Sequence, residues 1–265
     1  MDFQQIDSND RGDETQRNFR YQNAFGAILL IAVGRGAKPY HSIWCEYHED
    51  LLAECQDGTI DAYQIKTRKP EEGLWDLRNE PLLNSLRGFT NLYKVFGERI
   101  RNYYFVSNAS FPKPQQFKDS KNSKFANNPA ALLESIRLIT TYQDLEDIFT
   151  TTFRNLVSFC ECSEEDLFVV LKRVDYIQGP SRQDFDAVIA HDHLSKLPQC
   201  SLLKPHTLNQ IRDDLVMKIY YASSLFLDDP DRHITPLYSK LQVRPEVAAK
   251  RVPAQLLIEV IETNK

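Results

Sequence analysis

The chain has 265 residues, 42% of them hydrophobic and 26% charged, ordinary proportions for a globular protein able to bury a real core. With 32 Lys and Arg against 37 Asp and Glu its net charge is −5, which excludes a passive polycationic coat for nucleic acid but not a local basic groove. Five cysteines do not make a disulfide framework, MDFQQIDSNDRGDE lacks the basic start and apolar run of a leader, and the apolar stretch 24–33 is too short to span a bilayer, so a cytoplasmic protein with reduced thiols and no membrane contact is expected.

Residues 1–16 are polar and acidic and read as a flexible tail. NFRYQNAFGAILLIAVGRGA (18–37) then places Phe19, Ala24, Ile28, Leu29 and Val33 at helical spacing, with Gly34 and Gly36 as stop signals. SIWCEYHED, LLAEC and IDAYQIKTR read as strands, and QDG at 56–58 as a hairpin turn. A helix is expected over 81–99 and a strand over 102–111, followed by KPQQFKDSKNSK (113–124), with four lysines against one aspartate. Beyond Asn128 the pattern predicts helices at 129–139, 143–157, 181–194, 206–225 and 245–261, the last divided by Pro253, and a strand within 168–177. The order is that of a small α/β unit, 17–125, carrying a mostly helical extension of the same module, 126–265.

In DAYQIKTRK (61–69) a strand puts Ala62, Gln64 and Lys66 on one face and Tyr63, Ile65 and Thr67 on the other. One hairpin upstream lies EYHED, with Glu46, Glu49 and Asp50, so the hairpin can return Gln64 and Lys66 beside Asp50. A carboxylate and an amide oxygen can hold Mg²⁺ while a substrate phosphate fills another position, and a lysine beside them can stabilise charge on the phosphate oxygens. A Q-x-K tripeptide alone says little, since an exposed strand commonly has a polar face.

The order of RNFRYQNAF, WCEYHEDL, YQIKTRK and YYFVSNASF resembles the PD-(D/E)xK nuclease fold in its Mrr-like form, where Gln replaces the usual Glu of E-x-K. More narrowly it resembles the nuclease domain of bacterial anti-phage effectors: the CD-NTase-associated endonucleases of CBASS, the nuclease heads of AVAST-type STAND NTPases, and nucleases working with a HerA-type motor. The similarity covers about residues 17–112. It implies a restriction-endonuclease-like core of helix, mixed sheet and helix, and a Mg²⁺- or Mn²⁺-dependent site cutting double-stranded DNA. Position by position, the implied catalytic residues are Asp50, Gln64 and Lys66, with Asp50 and Gln64 as metal ligands. Glu46, Glu49 and Gln22 are candidates for support, and Arg68, Lys69, Lys113 and Lys118 for contacts to the DNA backbone. Such a nuclease would act as a homo-oligomer gated by assembly, by a sensor domain or by an ATPase partner.

Two other readings stand beside this one: a catalytically degenerate nuclease fold serving as a DNA-binding or assembly module, and a nuclease acting on RNA. His191 with His193 and Cys160 with Cys162 lack the spacing of a metal site, and His48 reads as a strand-end residue facing solvent. GRGAK (34–38) lacks the P-loop spacing and follows a helix rather than a strand.

Overall fold

In the computed structural model, which describes residues 11–113, 126–226 and 245–265, the first helix has an exposed first half and packs its second half, from Tyr21 on, into the core. Helix α1 (Arg11–Gly34) buries Tyr21, Ala24, Phe25, Ala27, Leu29, Leu30 and Ile31. The larger of these, Phe25, Leu29, Leu30 and Ile31, each contribute about 1.5–3 kcal/mol when taken out of water, which is why this segment forms a central helix. The helix begins well before Asn18, so residues 11–16, expected in the tail, are helical; Glu14 is tied to Arg182 at 2.6 Å.

A six-stranded mixed sheet follows, in the order β5-β4-β3-β2-β1-β6. Strands β1 (Tyr40–Tyr47), β2 (Glu49–Cys55) and β3 (Ile60–Lys66) form an antiparallel meander, and β4 (Ile100–Ser107) and β5 (Val174–Gln178) join in parallel beyond β3. The expected turn at 56–58 closes the β2–β3 hairpin: Gly58 takes a φ of 80° and donates its amide to Cys55. The other hairpin departs from expectation. EYHED is not one strand; the chain reverses at His48, whose φ is 63°, leaving Glu46 on β1 and Glu49 with Asp50 at the start of β2.

Between β3 and β4 lies α2 (Glu80–Phe96). With α3 (Pro129–Leu138), α4 (Asp147–Cys160) and α5 (Glu164–Lys172) it covers one face of the sheet, over Trp44, Leu52, Ala62, Tyr103 and Phe105. The other face, carrying Ile43, Leu51, Tyr63 and Ile65, is covered by α1, by the turn α6 (Phe185–Ala187) running into a π-helical stretch Val188–His193, and by α7 (Pro205–Ser224). Helices α1 and α7 approach closely at Gly26, where a Cβ would stand 3.2 Å from the Ile219 side chain. The short α8 (Pro245–Ala248), strand β6 (Arg251–Pro253) and α9 (Leu256–Thr263) complete the described chain.

The C-terminal part is mostly helical, as expected, and it also supplies both edge strands of the sheet. The strand expected within 168–177 is instead the end of α5 followed by β5: Ser163 caps α5 by accepting the Asp166 amide at 3.0 Å, and Glu164, Glu165 and Asp166 fill its first turn. The helix expected over 245–261 is interrupted by β6, where Pro253, lacking an N–H, fits an edge strand opposite Ser42. Among the described residues no helix is long and apolar enough to cross a membrane.

Candidate functional site

Strands β2 and β3 pair from Glu54–Ile60 to Leu51–Tyr63 and then part. One more step of that register would set Asp50 opposite Gln64. Instead the Asp50 carboxylate reaches across the gap, and its Oδ2 accepts the Ile65 amide at 2.6 Å and Lys66 Nζ at 3.3 Å. The predicted Asp50–Lys66 pair thus forms where the two strands diverge, with β4 running parallel alongside so that Ser107 partners Lys66. Helix α1 closes this side: Gln22 donates from Nε2 to the Ile65 carbonyl at 3.3 Å and also hydrogen-bonds the Asp50 carboxylate. Its Oε1 is buried and without a hydrogen-bond partner.

Gln64 is directed to the other side, under α2. Its Nε2 donates to Glu49, and its Oε1 lies 3.3 Å from the Ser85 hydroxyl. Gln64 and Lys66 are both half-buried and line a cleft of about 520 Å³ with Glu80, Pro81, Asn84 and Ser85, rather than facing open solvent. Glu46 lies across the β1–β2 hairpin on the wall of a larger cavity, about 820 Å³, between α1 and α7. Its own φ is 47°, and with His48 it gives two non-glycine residues in left-handed backbone beside the acids.

The electrostatics follow from three carboxyls gathered with few cations. Burial, and then the neighbouring Asp50 charge, push Glu49 up to about 8 and Glu46 up to about 7. Burial also raises Asp50, opposed by the Lys66 charge and the Ile65 amide. Both glutamates thus keep their protons to higher pH in the folded chain than at their ordinary value of 4.5 in the unfolded one. Their contribution to stability is full below 4.5 and is lost as pH rises through about 7 and about 8. Melting in EDTA should therefore show a falling midpoint between about pH 5 and about pH 8.5, a fall that Glu49→Leu reduces.

The oxygen donors on either side of Lys66 are of the kind a hard divalent cation takes: the Asp50 carboxylate and the unpaired Gln22 Oε1 on the α1 side, and the Gln64 amide under α2. Among the described residues, no three His, Cys, Asp or Glu side chains are grouped so as to hold a metal by themselves. His48 is packed between the rings of Tyr47 and Phe96, at 4.2 and 6.0 Å, rather than facing solvent.

Of the expected DNA-contacting residues, Arg68 is engaged within the fold: its Nη1 donates to Leu74 O and Asn79 Oδ1, and its guanidinium stacks 4.6 Å over Trp75. Lys69 and Lys113 are exposed, and Lys118 lies outside the described residues. Sequence reasoning missed Ser85 and Gly88 on α2, and also Lys250, whose buried Nζ donates to Ser223 O at 3.3 Å near Glu46. No local signal marks them; each is an ordinary residue brought in by a distant element.

The family model described as "Cap4, dsDNA endonuclease domain" matches residues 10–223. A solved structure of a Moraxella osloensis Cap4 receptor containing a SAVED/CARF domain is similar, at 15% identity and a TM-score of 0.45 over 78% of this chain. This chain spans 43% of that receptor's length. No curated protein matches.

Proposed function

The chain belongs to the Cap4 dsDNA endonuclease domain family, and we propose that it cleaves phosphodiester bonds of double-stranded DNA in a metal-dependent reaction at Asp50, Gln64 and Lys66. The observation that carries this reading is the placing of Lys66 Nζ 3.3 Å from Asp50 Oδ2 where β2 and β3 part, beside a cleft lined by Gln64 and Lys66.

Asp50 and Gln64 would hold Mg²⁺ or Mn²⁺, with Gln22 Oε1 within the same group of residues. Bound there, the ion supplies Lewis-acid charge at the phosphate and a more acidic water. Lys66 contributes three N–H donors on a compact cation, aimed at oxygens that gain charge as water adds to phosphorus and the P–O bond to the leaving strand breaks. Asp50 holds that ammonium in place, since it accepts from Nζ and is itself fixed by the Ile65 amide. Exposed Lys69 and Lys113 are proposed contacts for the DNA backbone, where each adds sequence-independent affinity.

One such site makes one cut, and the strands of a duplex run in opposite directions. A homo-oligomer with two-fold symmetry is therefore the proposed cutting form. Indiscriminate cutting would destroy the host chromosome, so the chain is proposed as the effector of bacterial anti-phage defence, held in check in the cytoplasm by assembly, a sensor domain or a motor ATPase. The testing experiment presents the chain, with Mg²⁺, to supercoiled plasmid, single-stranded DNA and RNA of matched length. Plasmid degradation that EDTA stops is the expected result. Preferential loss of RNA, or binding of plasmid without cleavage at any metal concentration, would replace this reading with one of the other two.

A further inference from the structure

A glutamine can hold a cation only through its oxygen, because its NH₂ end offers donors alone. We propose that Glu49 is a positioning residue that turns the Gln64 amide so that Oε1, not the NH₂, faces the cleft beside Lys66. The inference rests on the metal-dependent reading above and assigns to Glu49 the task of making an amide serve where a carboxylate would need no orientation.

Three features converge on Gln64. Glu49 is almost wholly buried, at 5% exposure, and its Oε2 accepts from Gln64 Nε2, so the donor end of the amide is held away from the cleft. At the opposite end, Ser85 Oγ lies 3.3 Å from Gln64 Oε1 but also donates to Pro81 O at 2.8 Å. A hydroxyl has one proton to give, so Oε1 keeps lone pairs for another partner. Finally, Gly88 in the middle of α2 makes room for the acid: a Cβ there would stand 2.6 Å from Glu49 Oε1. Glycine inside a helix is otherwise unfavourable, and the neighbouring carboxyl gives it a reason here.

The test follows thermal melting of the intact chain during a Mn²⁺ titration, which reads cation binding without DNA cleavage. Wild type should gain stability with added Mn²⁺, and Glu49→Leu should need about 10–100-fold more of it for the same gain, as when a partner orienting a metal ligand is lost. Adding Gln64→Glu to Glu49→Leu should restore the response to within about threefold, because both oxygens of a carboxylate are equivalent and no orientation is needed. A merely structural effect of Glu49→Leu would persist in the double variant. Gly88→Ala, which crowds the acid without removing it, should weaken the response in the same direction, and it carries the test should Glu49→Leu fail to melt cooperatively. A wild-type response in both Glu49→Leu and Gly88→Ala, or a loss that Gln64→Glu does not repair, overturns the positioning role and leaves the nuclease reading intact. A wild-type chain with no response to Mn²⁺ overturns the metal reading, and this inference with it.

Discussion

Replacing Lys66 with alanine should reduce plasmid cleavage by about 10²–10³-fold, the usual consequence of removing one donor aimed at charge that develops in the transition state. The fold should survive. Asp50, whose side chain is 9% exposed, keeps the Ile65 amide and the Gln22 side chain as partners, and without the Lys66 charge burial pushes its carboxyl further up, so it takes a proton more readily instead of standing as an isolated buried charge. Lys66→Arg should recover little, since a planar guanidinium fork does not place a point charge where the ammonium stood. The measurement is initial rate against enzyme concentration for the three proteins, with DNA binding checked by gel shift. Binding that stays within about threefold while cleavage collapses assigns Lys66 to chemistry rather than to holding the duplex.

The second large effect concerns stability. Asp61, the first residue of DAYQIKTRK, is fully buried at the opposite end of β3 from Lys66. Its carboxylate accepts from Arg101 Nε at 3.0 Å and Nη2 at 2.6 Å, from Tyr40 Oη at 2.6 Å and from Asn102 Nδ2 at 3.0 Å, while the Tyr40 and Tyr63 hydroxyls lie 2.6 Å apart. Asp61→Ala removes the acceptor shared by all three donors and leaves a guanidinium beside a buried tyrosine pair. The expected cost is about 2–3 kcal/mol, from the hydrogen bonds lost by the buried tyrosine and asparagine donors, because the Arg101 side chain is 40% exposed and can turn to solvent. For a chain of this size the melting midpoint should fall by roughly 5–10 °C. Equilibrium denaturation of Asp61→Ala and Asp61→Asn measures it, with the amide expected to lose less because it still accepts hydrogen bonds. The two carboxylates near this strand thus divide their work: Asp61 anchors the sheet, and Asp50 serves the proposed site.

Much of the site was legible because its spacing is local. The period of two along β3 places Gln64 and Lys66 together, and the QDG turn returns that strand beside EYHED. What alternation could not reveal is the break at His48 and the parting of β2 from β3 beyond Leu51. Regular pairing would aim Asp50 at Gln64. The observed geometry sends Asp50 between the strands and Glu49 under α2, so the acid grouped with the supporting residues is the one that touches Gln64. Ser85 and Gly88 come from a helix whose packing depends on the whole fold, and no spacing within its own segment marks them, whereas Gln22 was indicated by the RNFRYQNAF stretch.

The fold was legible through α2 and β4 for the same reason: strong periodicity over long segments. It faded where pairing is remote. Strand β6 is three residues long and pairs with β1 from near the opposite end of the chain, and the five residues of β5 are too few to tell it by period from the helix that runs into it. In α5 the run FVVLK has β-branched residues suited to a strand, but the Ser163 cap and the acidic first turn decide for helix.

The most direct trial of the proposed centre is plasmid cleavage by the wild-type chain and by Asp50→Asn, each with Mg²⁺ and with EDTA, at concentrations high enough to favour assembly. Wild type should convert supercoiled plasmid to linear fragments with Mg²⁺ alone, and Asp50→Asn should leave it supercoiled in both conditions. Cleavage by wild type that continues undiminished in EDTA, or equal cleavage by Asp50→Asn, would place the chemistry somewhere other than the gap between β2 and β3.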